Sequence, residues 1–73
     1  MPPFRDIRQS EAVRAFVKLG GVERAGKGSH RVVKMPNGVN VSVPAGIVKV
    51  GLLKSLIKSA ECSEERFLHE IGR

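Results

Sequence analysis

The chain has 73 residues, 13 Lys and Arg against 7 Asp and Glu, and a formal net charge of +6. For so short a chain a single domain is expected, burying only about 60% of the surface its unfolded form exposes, so the core is expected to be small. The basic balance points to an anionic partner such as nucleic acid, a membrane surface or an acidic protein. Against a spanning protein stands the absence of any apolar run near the roughly 20 residues of a transmembrane helix.

No charged-then-apolar leader opens the sequence, so a soluble, cytoplasmic protein is expected. The two leading prolines, Pro2 and Pro3, neither donate to a ladder nor favour a preceding helix, so residues 1–9 are expected to start extended or disordered. From Ser10 the apolar positions Val13, Phe16 and Val17 recur at helical spacing, with Glu11, Arg14 and Lys18 on the other faces. Ser10 reads as the N-cap and Gly20-Gly21 as the stop, which gives a first helix over residues 10–19.

Val22-Glu23-Arg24-Ala25 is a short alternating stretch. After it comes the glycine-spaced loop Gly26-Lys27-Gly28-Ser29, which runs into the β-branched segment 30–35. Pro36-Asn37-Gly38 marks a turn, and Val39-Asn40-Val41-Ser42-Val43 alternates, so three strands in a meander are expected. Val39, Val41 and Val43 share the face that should meet the helices. The second strand is ambiguous, because Val32 falls in phase with His30 and Lys34 while Val33 falls in phase with Arg31 and Met35. Either that strand is buried on both faces or a bulge near the loop shifts its phase.

Pro44 ends the third strand, and Leu53, Leu56, Ile57 and Ala60, with Lys54 and Lys58 on the wet side, predict a second helix over residues 50–60. Ser63 caps a short terminal helix with Glu64 and Glu65 in its first turn and Phe67, Leu68 and Ile71 as its apolar stripe. An antiparallel three-stranded sheet with helices on one face, an α+β fold, buries all of these stripes. The lone Cys62 has no partner in the chain and reads as a packing residue.

The chemistry-bearing stretch is Gly26-Lys27-Gly28-Ser29-His30, where two glycines and a sheet behind them could hold one imidazole at an open edge. RNA carries its own nucleophile, the 2′-hydroxyl, so cleavage needs a base for its proton, an acid for the leaving 5′-oxygen and cations for the phosphorane charge. An imidazole, ordinarily titrating at about 6.5, suits either proton-transfer role near neutrality. His30 is therefore the candidate general acid or base. Lys27, Arg31 and Lys34 are the candidate phosphate cations, and Ser29, beside Gly28, is the candidate hydrogen-bond donor. His30 and His69 are far apart in sequence with no flanking carboxylate cluster, so neither a metal site nor a cofactor is expected, and His69 reads as a surface residue of the terminal helix.

The Gly28-Ser29-His30 triplet at the mouth of a strand is followed by Pro36-Asn37-Gly38 and Val41-Ser42-Val43-Pro44. Gly51-Leu52-Leu53-Lys54-Ser55-Leu56-Ile57-Lys58 and Ser63-Glu64-Glu65-Arg66-Phe67-Leu68 come next, and the whole resembles the HicA toxins of toxin–antitoxin pairs over residues 13–68. The resemblance implies a double-stranded-RNA-binding-like αβββα fold plus a short C-terminal helix. It also implies an endoribonuclease acting on mRNA, one catalytic histidine that maps onto His30, and a HicB-type antitoxin covering the site. Because the sequence shows no metal site, cleavage is expected to be metal-independent, and the free toxin is expected to be a monomer. One departure stands out: many members carry another histidine after the Val-Pro pair, where this chain has Ala45 and Gly46, so that residue's role does not transfer. Two alternatives remain beside the nuclease. One is a non-catalytic RNA-binding module, and the other is a basic domain that meets an acidic protein.

Overall fold

The computed structural model describes residues 4–26 and 28–72, so Lys27 lies outside the described residues. The elements follow in the order α1 (Gln9–Lys18), β1 (Val22–Arg24), β2 (Arg31–Lys34), β3 (Asn40–Val43), α2 (Val50–Ser59) and α3 (Glu64–Glu70). The three strands form one antiparallel sheet in the order β1-β2-β3, and with the three helices this is the α+β arrangement expected.

The first helix starts earlier than its Ser10 suggests. Arg8 occupies the N-cap in an extended conformation, and its backbone N–H donates to the Glu11 carboxylate at 3.4 Å. Glu11 thus sits three residues past the cap, where a glutamate reaches back to the orphan N–H, and Ser10 falls inside the first turn. The last helix starts as predicted, with the Ser63 hydroxyl accepting from the Arg66 N–H at 3.0 Å.

Of the loose tail expected for residues 1–9, residues 1–3 with both prolines lie outside the described residues, and residues 4–9 are packed. Phe4 and Ile7 are buried, Asp6 takes a positive φ of 59°, and Arg8 bridges Ile47 in a short antiparallel contact. Proline chemistry is local, whereas the Phe4 ring is drawn in by the Phe67 ring, whose centroid lies 6.4 Å away, and by Lys54, whose Nζ stands 5.4 Å from the Phe4 centroid.

The register resolves the second strand. Val33 pairs with both Glu23 and Val41, and Arg31 pairs with Val43, so this row faces the helices. Val33, Met35, Val41 and Val43 are all buried, and with Phe16, Leu53, Ile57 and Phe67 they form the core. The pairing from Arg31 to Lys34 is continuous, without the bulge considered above, and the opposite face is open. That face carries Val22, Lys34 and Asn40 in one row and Arg24, Val32 and Ser42 in the next. Val32 is half-buried and Lys34 exposed, so β2 is a one-sided strand and not one buried on both faces.

Candidate functional site

The loop between β1 and β2 is a close crossing of backbone. A Cβ on Gly26 would collide with the His30 carbonyl oxygen and crowd the Val32 side chain at 3.3 Å, so only glycine lets the two strand ends come this near. Two residues on, Gly28 takes φ +60° with open space where its Cβ would be, a left-handed turn that aims the chain back toward β2. Ser29 and His30 follow, both exposed, and β2 begins at Arg31, so His30 stands at the mouth of the strand and not within it.

A residue that the sequence reading missed holds this loop. The Gln9 carboxamide, at the first position of α1, donates to the Ser29 carbonyl at 2.6 Å and to the Val43 carbonyl at 3.0 Å. Both amide hydrogens are used, so one side chain ties the helix to the loop and to the end of β3. The helix start is itself pinned, since the Gln9 N–H donates to the Gly46 carbonyl at 2.9 Å. No sequence signal marks Gln9, because its two acceptors lie 20 and 34 residues away.

The other expected site residues divide between the two faces of the sheet. Arg31 lies on the helix side, where its guanidinium donates twice to Glu23, at 2.7 and 2.8 Å. Glu23 pairs with Val33, so it is the diagonal cross-strand neighbour of Arg31. The bidentate bond lowers the Glu23 carboxyl below the ordinary glutamate range and raises the Arg31 guanidinium further. Lys34 lies on the outer face at the far end of β2, about 10 Å along the strand from Arg31. Gly28, Ser29, His30 and Arg31 thus follow one another from the loop into β2, and Lys34 stands apart from them on the outer face.

All three phenylalanines are buried, so none offers a stacking platform for bases. Among the described residues no group of three His, Cys, Asp or Glu side chains could hold a metal ion. His69 is exposed on α3, and Cys62 is half-buried, its thiol pushed up by burial against a smaller opposing effect of Arg66. No described helix is long and apolar enough to cross a membrane.

No curated protein matches this chain. The family model described as the HicA toxin of bacterial toxin-antitoxin matches residues 10–62, from the first turn of α1 through the sheet and α2 to Cys62. With that match spanning most of its length, the chain belongs to the HicA toxin family, and membership implies an antitoxin partner.

Proposed function

We propose that this toxin is an endoribonuclease that cleaves mRNA in the cytoplasm, with His30 as its proton-transfer group and no need for added metal. The observation that carries this reading is the exposed His30 at the end of a loop whose backbone is fixed by Gln9. Its side chain makes no hydrogen bond or ion pair with the described residues, so the ring is available to a substrate. In the reaction the 2′-oxygen forms a bond to the adjacent phosphorus and the bond from phosphorus to the 5′-oxygen breaks. One proton leaves the 2′-hydroxyl and one reaches the departing 5′-oxygen, and the products are a 2′,3′-cyclic phosphate and a 5′-hydroxyl. His30 serves one of these transfers and water the other, which predicts a slow enzyme. Ser29 donates to the phosphate, with Lys27 and Arg31 as the cations nearest in sequence. Lys34 serves phosphates farther along the strand.

The HicB-type antitoxin covers His30 and its loop, and the free toxin is a monomer under this reading. The test is cleavage of single-stranded RNA by purified toxin in the presence of a chelator. His30→Ala should lower the rate by about 10²- to 10⁴-fold, the usual share of a positioned acid or base. Because His30 is exposed, the variant should keep its melting temperature and its RNA affinity. A substrate methylated at its 2′-hydroxyls should resist cleavage. Undiminished cleavage by His30→Ala overturns the reading, and RNA binding without any cleavage by the unaltered chain makes it a non-catalytic binding module.

A further inference from the structure

A second feature on the helix side of the sheet enters neither the loop nor the core. Between α1 and the β1–β2 edge runs a groove of about 430 Å³ whose charged lining is Arg14, Lys18, Glu23 and Arg31. Ser10 also lines it, one residue past the Gln9 that holds Ser29, and Arg31 directly follows His30, so one end of the groove is next to the loop along the chain, although no loop residue lines it. From Ser10 to Lys18 it follows the helix for about 12 Å. Arg14 and Lys18 stand one turn apart on the exposed face, a like-charged pair that destabilises an isolated helix slightly, and on their other side they border a second depression with Glu11 and Glu70.

We propose that this groove is a binding track for the phosphodiester chain of RNA leading to His30, seated by Arg14 and Lys18, and that Arg31 joins it by exchanging Glu23 for a phosphate. The proposal rests on the nuclease reading above and names the substrate track of that site. A phosphate oxygen pair offers the Arg31 fork the same geometry as the Glu23 carboxylate, so the exchange replaces one bidentate partner by another. Glu23 acts as a built-in competitor: it keeps the guanidinium extended along the sheet while the groove is empty and weakens binding by the strength of the bond that must be given up. The side chains of Arg31 and Glu23 are 38% and 41% exposed, so an incoming phosphate has access to the pair. A protein occupant is a poorer fit, because Val17 is the one exposed large apolar residue lining the groove. The other large apolar residues on the surface, Val22, Ile47, Val50 and Leu52, line no part of it. Protein interfaces take most of their affinity from such buried anchors.

The experiment measures binding of a short, fully 2′-O-methylated oligoribonucleotide, which cannot be cut, by fluorescence anisotropy over a range of salt concentrations. Arg14→Gln and Lys18→Gln should each flatten the plot of log affinity against log salt by about 0.7, the value for one phosphate contact on a single strand. Glu23→Gln should steepen it by a similar amount and tighten binding about two- to fivefold, in keeping with an exposed ion pair. That gain should vanish when Arg31→Gln is already present. If the Arg14 and Lys18 variants bind with unchanged slope while the unaltered chain binds well, the track lies elsewhere and the His30 reading survives. If Glu23→Gln tightens binding equally with and without Arg31, the exchange is overturned and only a general charge effect is left. Absence of binding by the unaltered chain at low salt overturns both readings. Unchanged RNA affinity combined with weaker capture of the antitoxin would make the groove a protein contact, against the proposal.

Discussion

The sheet has two hairpin ends, and each is held to a helix by a carboxamide, but in opposite senses. In the β2–β3 turn the carboxamide belongs to the turn: Asn37 donates to the Ser59 carbonyl at 3.1 Å and to the Glu61 carboxylate at 2.8 Å, and its oxygen accepts from the Val39 N–H. That side chain is used up in fastening the turn to the end of α2. In the β1–β2 loop the carboxamide belongs to the helix, and Gln9 grips the loop by the Ser29 backbone carbonyl. A loop held by its backbone keeps its side chains for other work. The β1–β2 loop is thus suited to chemistry and the β2–β3 turn to architecture, although both are short, exposed and glycine-containing.

The sharpest way to break this comparison is at the crossing itself. Gly26→Ala places a methyl group where the His30 carbonyl stands, and the backbone must yield. The expected cost is about 1–3 kcal/mol of overpacking, seen as a lower melting temperature. Displacing the imidazole by about an ångström should reduce cleavage about 100-fold. Gly38→Ala in the other turn meets open space and strains only a φ of 88°, so it should lower stability alone. Cleavage assays on protein held well below its melting temperature separate the two. Equal cleavage by both variants would mean that the first hairpin has no special link to activity.

A smaller effect is expected from the two carboxamides. Asn37→Ala loses bonds to α2 and should cost about 1–2 kcal/mol of stability while each folded molecule cuts at the normal rate. Gln9→Ala leaves two partly solvated carbonyls for water to take over, so its melting temperature should fall less. Its kcat should drop about tenfold with KM nearly unchanged, since the loop is loosened but the side chains proposed to bind phosphate remain. A Gln9→Ala variant that loses only stability would place both carboxamides in the same structural class.

These two ends also show what could be read from the residues alone. Pro36-Asn37-Gly38 and the glycine-spaced loop announce themselves because turn chemistry is local, and His30 is legible for the same reason: it stands between a glycine turn and a β-branched run. The helices are legible from their stripes, of which Val13, Phe16, Leu53, Ile57 and Phe67 are buried in the structure. The phase of β2 is not, since Arg31-Val32-Val33-Lys34 places one valine and one cation on each face. What decides it is remote: Val33 enters the core, and Glu23 offers Arg31 a partner on the helix side. Phe4 and Gln9 escape notice for the same cause, because their partners come from the far end of the chain or from other elements.

The smallest effect separates the hairpins by charge. β1 and β2 are joined by the Glu23–Arg31 ion pair, and among the described residues no ion pair joins β2 to β3. Because the bond to Arg31 holds Glu23 below the ordinary glutamate range, whatever the pair adds to folding is fully present above that range. It is lost as pH falls through the lowered value. The raised Arg31 stays protonated throughout, so it sets no second transition in the working range. With both groups exposed to water the stability change should be slight, and the carboxyl itself is the better reporter. Its side-chain carbon resonance, followed by NMR during acid titration, should move at a lower pH than that of an ordinary surface glutamate. In Arg31→Gln it should move back toward the ordinary range, and the β2–β3 pairing, which has no part in the bond, should show no change in amide protection. If the Glu23 titration is the same with and without Arg31, the bidentate bond is not maintained in solution, and the first hairpin then depends on Gln9 and its backbone ladder alone.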